Sequence, residues 1–86
     1  MLKAEYTEAE LLHALSRSGP VQVDLYRRQV FVSTHYRPQV RGVGATLMDA
    51  TKDCIFWLFD VLRDRPEDEA ITTRTVAALK KLGISP

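Results

Sequence analysis

The chain has 86 residues, 45% hydrophobic and 27% charged, with twelve Lys/Arg against eleven Asp/Glu. That length fits one domain, 1–86, and the composition excludes a disordered or collagen-like chain. The near-neutral balance excludes a global electrostatic drive toward nucleic acid or anionic lipid.

The single cysteine, Cys54, rules out an internal disulfide. With no apolar signal segment visible at Met1 to Glu5, the expected compartment is the reducing cytoplasm. The longest apolar run, Cys54 to Phe59, is far short of the ~20 residues a membrane span needs, so no membrane is expected.

The first helix carries start and stop signals. Thr7-Glu8-Ala9-Glu10 reads as a capping box, and Tyr6 is placed to staple onto Leu11. Leu11, Leu12 and Leu15 form a narrow apolar stripe, and Gly19-Pro20 ends the helix near Ser18. Val21-Gln22-Val23-Asp24-Leu25 then alternates with period two, and Val30-Phe31-Val32-Ser33-Thr34 is a second β-branched, aromatic run. Pairing Leu25 with Val30 sets Val23 against Val32 and Val21 against Thr34, so one face is apolar throughout. This predicts a hairpin around Tyr26-Arg27-Arg28-Gln29. Without Gly or Asn there, a primed two-residue turn is disfavoured and a looser four-residue loop is expected. Phe31 falls on the otherwise polar face.

His35 to Gly44 reads as a linker or a short irregular third strand, with Pro38 barring a central strand position and Gly42 and Gly44 allowing a bend. Residues 45 to 63 form the longest predicted helix. Leu47, Met48, Thr51, Cys54, Ile55, Leu58, Val61 and Leu62 make one broad core face. Phe56, Trp57 and Phe59 break the division, leaving the Cys54–Phe59 stretch apolar almost all round. Arg65-Pro66 ends this helix. A last helix, from about Pro66 or Thr73 to Leu82, buries Ile71, Thr75, Ala78, Leu79 and Leu82. Gly83 is its expected C′ residue, with Ile84 folding back on Leu79. The expected class is α+β, order α-β-β-α-α, a β-hairpin packed against three helices.

Chemical signatures are sparse. Arg41-Gly42-Val43-Gly44 lacks the third glycine and the Lys-Ser/Thr of a phosphate loop. His13, His35 and Cys54 sit on separate elements without metal-ligand spacing. Ser16, Ser18, Ser33 and Cys54 have no local nucleophile signature. No enzyme activity, cofactor or metal is expected.

Charge distribution is more informative. Residues 25–48 hold Arg27, Arg28, Arg37 and Arg41 and no acid. Tyr26, Phe31, His35 and Tyr36 are interleaved with them. Arginine with aromatics suits both protein hot spots and nucleic-acid contacts. The expected function is a small non-enzymatic regulator or inhibitor that docks on a larger protein. Its binding residues would be Arg27, Arg28, Phe31, Tyr36, Arg37, Arg41, Phe56, Trp57 and Phe59. Small chains often complete their core by oligomerising, so a homodimer through the aromatic helix face is also expected. The alternative is a dimeric DNA- or RNA-binding regulator that reads with the arginine hairpin.

Overall fold

Local chemistry sets the first helix. The Thr7 hydroxyl accepts from the Glu10 N–H, and the Glu10 carboxylate accepts from the Thr7 N–H at 2.8 Å, so the capping box is closed. The computed structural model describes residues 6–36 and 39–85. Helix α1 (Glu8–Leu15) runs through a 3-10 turn, Ser16–Ser18, into the strands β1 (Val21–Tyr26), β2 (Gln29–Thr34) and β3 (Arg41–Gly44). Helix α2 (Leu47–Asp64), a 3-10 segment (Pro66–Ile71) and helix α3 (Thr73–Lys81) follow. The class is α+β, with a three-stranded antiparallel sheet in the order β1-β2-β3.

The hairpin register is the one the alternation predicts. Leu25 pairs with Val30, Val23 with Val32 and Val21 with Thr34. Its turn differs. Tyr26 pairs directly with Gln29, so only Arg27 and Arg28 make the connection. Both have left-handed backbone, at φ 52° and 66°. A two-residue turn matches the right-handed twist of the strands and needs positive φ at both central positions. The six-residue register therefore forces the arginines there, at about 1–2 kcal/mol each for a residue with a Cβ.

The third strand is regular, which adds a β to the order expected from sequence. Thr34 locks its start: its N–H donates to the Val40 carbonyl at 3.0 Å, and its hydroxyl accepts from the Val40 N–H at 3.0 Å. From there Ser33 pairs with Arg41 and Phe31 with Val43. Gly42 and Gly44 are thus strand residues, not a bend, and neither has positive φ. They lie opposite Val32 and Val30, on the face that α2 covers. A Cβ on Gly42 would overlap the Cys54 amide nitrogen and the Ala50 carbonyl oxygen. On Gly44 it would come within 2.6 Å of the Asp49 Cβ. The missing side chains let α2 lie directly on the β3 backbone. That contact also explains why Ala50, which the periodicity did not single out, is fully buried. Arg37 and the proposed strand-breaker Pro38 lie outside the described residues.

α2 begins at Thr46, whose hydroxyl accepts from the Asp49 N–H. Its Cys54, Ile55, Leu58 and Leu62 enter a core with Val30, Val32, Leu11, Leu15, Val76 and Leu79. A polar clasp joins the two terminal helices. Ser18 and Thr75 exchange backbone-to-hydroxyl bonds at 3.1 and 3.0 Å, and the Thr75 hydroxyl donates to the Leu15 carbonyl at 3.1 Å. At the end of α3 the Gly83 N–H reaches Lys80 O and the Ile84 N–H reaches Leu79 O, with Gly83 at φ 87°. This is the Schellman stop its sequence predicts. Ile71 departs from expectation. The helix starts only at Thr73, so the 3-10 segment turns Ile71 outward, and Thr72 and Val76 are buried instead.

Candidate docking surface

In an antiparallel pair, residues directly opposite share a face. Val30, Val32 and Thr34 are buried under α2, so Val21, Val23 and Leu25 belong to that inner face. The outer face carries Gln22, Asp24 and Tyr26 of β1, Phe31 and Ser33 of β2, and Arg41 and Val43 of β3. Among the described residues no helix packs on it. Phe31 sits at its centre between Asp24 and Val43, and Arg41 occupies the next position on β3. The outward Phe31 noted in the sequence is therefore the middle of an open sheet surface.

The arginine tip closes one end of that surface. The Arg27 guanidinium lies 5.3 Å from the Tyr26 ring centroid, a cation–π contact on an exposed ring. Arg28 is exposed beside it. The other arginine of this group in view, Arg41, is exposed on β3. Phe31 and Arg41 thus share the outer face, with Arg27 and Arg28 at its hairpin end.

The aromatic residues of α2 divide. Phe59 is buried in the core. Phe56 and Trp57 remain 56% and 46% exposed, with ring centroids 5.5 Å apart and nearly perpendicular planes. Asp53 locates Trp57. The Asp53 carboxylate accepts from the Val43 N–H at 2.9 Å, at the outer edge of β3. Trp57 stands one turn further along the same helix flank, so it borders that edge. Phe56 borders a shallow apolar groove of about 250 Å³ with Tyr6, Ile55, Phe59 and Ile84. Tyr36, a candidate for binding by composition, is buried beside Gly19 and belongs to the core.

The candidates therefore do not converge on one spot. The aromatic pair lies on the helix layer and the arginine tip at an end of the sheet layer, in a molecule 19 Å thick along its shortest axis. Trp57 is ten residues into α2, roughly 15 Å along the axis from the helix start beside the tip. The β3 edge is where the two layers meet, with Trp57 on one side and Val43 on the other.

Cys54 lies under this edge. It is fully buried, and its Sγ donates to the Val40 carbonyl at 3.9 Å. Burial, with the neighbouring Asp53 carboxylate acting in the same direction, pushes its thiol pKa up to about 12. It is a small core side chain held in its unreactive form. Among the described residues no three His, Cys, Asp or Glu side chains converge as a metal site. None of the described helices is long and apolar enough to cross a membrane. Comparison with known proteins finds no match to a protein family, to a characterised protein or to a solved structure.

Proposed function

We propose that the protein is a small non-enzymatic regulator or inhibitor that docks on a larger protein in the cytoplasm. The carrying observation is the exposed Phe56–Trp57 pair on α2, with Trp57 flanking the β3 edge and Phe56 the neighbouring groove. Large aromatics held rigidly on a helix supply anchor area at low entropy cost, and a charged rim orients them. Phe31 and Arg41, around the same edge on the sheet, extend the contact. Arg27 and Arg28 form a distal basic rim. Their backbone supports a role for the side chains. A turn of this kind is cheapest with Asn-Gly, yet two arginines are held there in a disfavoured conformation.

One observation favours a second reading. Phe31 stands in the middle of an uncovered sheet, with arginines beyond it on both sides. That is how a platform for stacking nucleic-acid bases is built. Asp24, next to Phe31 on the same face, opposes phosphate there.

Affinity capture from the source-cell lysate, with and without nuclease, separates the two. A nuclease-resistant protein that is lost with Phe56→Ala/Trp57→Ala supports protein docking. Its loss at Arg27→Ala/Arg28→Ala would place the tip in the contact, at roughly 1–3 kcal/mol if either arginine is desolvated there. Salt-sensitive binding to DNA or RNA, with a salt slope reduced by about one per lost phosphate contact, would replace this reading with the second.

A further inference from the structure

The two long edges of the sheet are finished differently, and the β1 edge is self-complementary. Tyr26 and Gln29 close a two-residue turn, and such a closing pair exchanges both of its backbone bonds. At the other end the His35 N–H donates to the Pro20 carbonyl at 3.1 Å. Bonding toward β2 therefore falls on Pro20, Gln22, Asp24 and Tyr26. The alternate residues, Val21, Val23 and Leu25, aim their N–H and C=O groups away from the sheet. Among the described residues no strand pairs with them. The same three residues carry the apolar side chains of the inner face, where Val23 is 45% and Leu25 78% exposed. Edge strands are normally blunted by a bulge, a lysine, a proline within the strand or a cover. Among the described residues, β1 has six residues in regular register and none of these devices; its one charge, Asp24, points to the outer face.

Few alignments satisfy such an edge. Residues with outward backbone groups must meet each other, and apolar side chains must fall on the same face. Setting Asp24 against the partner's Asp24 places like charges opposite and costs stability. Setting Gln22 against the partner's Gln22 leaves Leu25 beyond the partner's strand. Setting Val23 against the partner's Val23 pairs Val21 with the partner's Leu25 on both sides of the axis. It gives about six backbone hydrogen bonds. On the outer face it brings Gln22 opposite the partner's Asp24. Within one chain the Gln22 amide already donates to the Asp24 carboxylate at 2.9 Å, so the two groups are matched donor and acceptor. Helix α2 lies over β2 and β3, so it leaves the β1 edge open to a second sheet.

We propose that two copies of this chain pair antiparallel through β1, with the two-fold axis at Val23, to form one continuous six-stranded sheet. This dimer is separate from the aromatic pair on α2, which stays free for another partner.

Cross-linking tests the register. In the proposed pairing Val23→Cys faces its own symmetry mate at a separation a disulfide accepts, and buried Cys54 does not compete. The full-length variant should form a covalent dimer under mild oxidation. Gln22→Cys and Asp24→Cys should form it at least about tenfold more slowly, because neither faces itself. In sedimentation equilibrium the wild type should dimerise. Leu25→Lys, at an exposed position that leaves the fold intact, should raise the dissociation constant at least about tenfold, since each dimer contains the position twice. Circular dichroism confirms that the variants remain folded. A wild type that stays monomeric up to about 100 μM, a weak-interaction range, would overturn the proposal. So would a dimer lost in Trp57→Ala and unchanged in Leu25→Lys, or preferential cross-linking through position 22 or 24.

Discussion

The β3 edge and the β1 edge bound the same sheet, yet one is built into the fold and the other is not. At β3 two glycines admit the backbone of α2, Asp53 occupies the outward N–H of Val43, and Ala50 and Cys54 are fully buried. At β1 the apolar residues are on the correct face and in the correct register, but only Val21 packs against the core, and Val23 and Leu25 stay exposed. Matching pattern and pairing therefore do not imply burial. Burial also requires a cover, and the cover here is positioned by the missing side chains of β3.

The largest break in this contrast should come from Gly42→Ala. Its Cβ has nowhere to go except into the helix backbone, which no rotamer change can relieve. Urea denaturation should show a loss of about 3 kcal/mol or more. The mirror pair Val32→Ala and Leu25→Ala comes next. The two positions lie diagonally across the paired strands on one face, yet Val32 is fully buried and Leu25 is not. The expected losses are about 2 kcal/mol for Val32 and under about 0.5 kcal/mol for Leu25. Equal losses would mean that β1 is covered in solution.

Raising the pH probes the β3 side. The Cys54 thiol gives up its proton later in the folded chain than in the unfolded one. Above about pH 9 the unfolded state thus holds fewer protons, and stability falls as pH rises toward 12. The slope from this group is at most about 1.4 kcal/mol per pH unit. Burial holds Tyr36 above its ordinary range as well, so it adds to the fall at the upper end. Denaturation midpoints at pH 8 and pH 10.5 should show the drop, and Cys54→Ala should flatten its first part. Below pH 9 the same burial should make Cys54 label slowly with thiol reagents unless denaturant is present.

The last change is a gain. Arg27→Asn/Arg28→Gly relieves the left-handed strain of the turn and should stabilise the fold by about 1–2 kcal/mol, less than the full strain because Asn keeps part of it and Gly adds freedom to the unfolded chain. If the proposed rim operates, partner binding weakens at the same time. A loss of stability instead would show that the arginines make folded-state contacts worth more than the strain.

Much of this was legible in the residues. Thr7 and Glu10, the Leu25–Val30 register and the Gly83 stop are local or pairwise signals, decided by chemistry within a few positions or across one pair of strands. The β3 strand was not legible as such, because glycines weaken strand signals and their use here depends on a helix that comes later in the chain. The turn escapes the sequence for a related reason. Residue preference alone favours a looser loop, and the pairing of six residues on each side overrides it. At the candidate surface, helical spacing could not divide Phe56 and Trp57 from Phe59. The direction of the solvent around α2 depends on where α1 and α3 pack. Tyr36 likewise entered the candidate surface by composition and is in fact core. Asp53 was missed, since nothing in sequence marks a helix carboxylate as the plug of a strand edge.

The strained turn also bears on the order in which the sheet assembles. A turn that its own residues disfavour cannot nucleate a hairpin. β3 and α2, by contrast, are separated by two residues and make their glycine contact within a short loop, so closing that contact costs little chain entropy. The first structured unit is then β3–α2 with β2 laid alongside, and β1 zips on last. In the native state the same hierarchy runs in reverse. In the monomeric Leu25→Lys chain, amide exchange should open β1 in a sub-global step well below global unfolding, and each opening bares the inner edge of β2 to whatever strand is nearby.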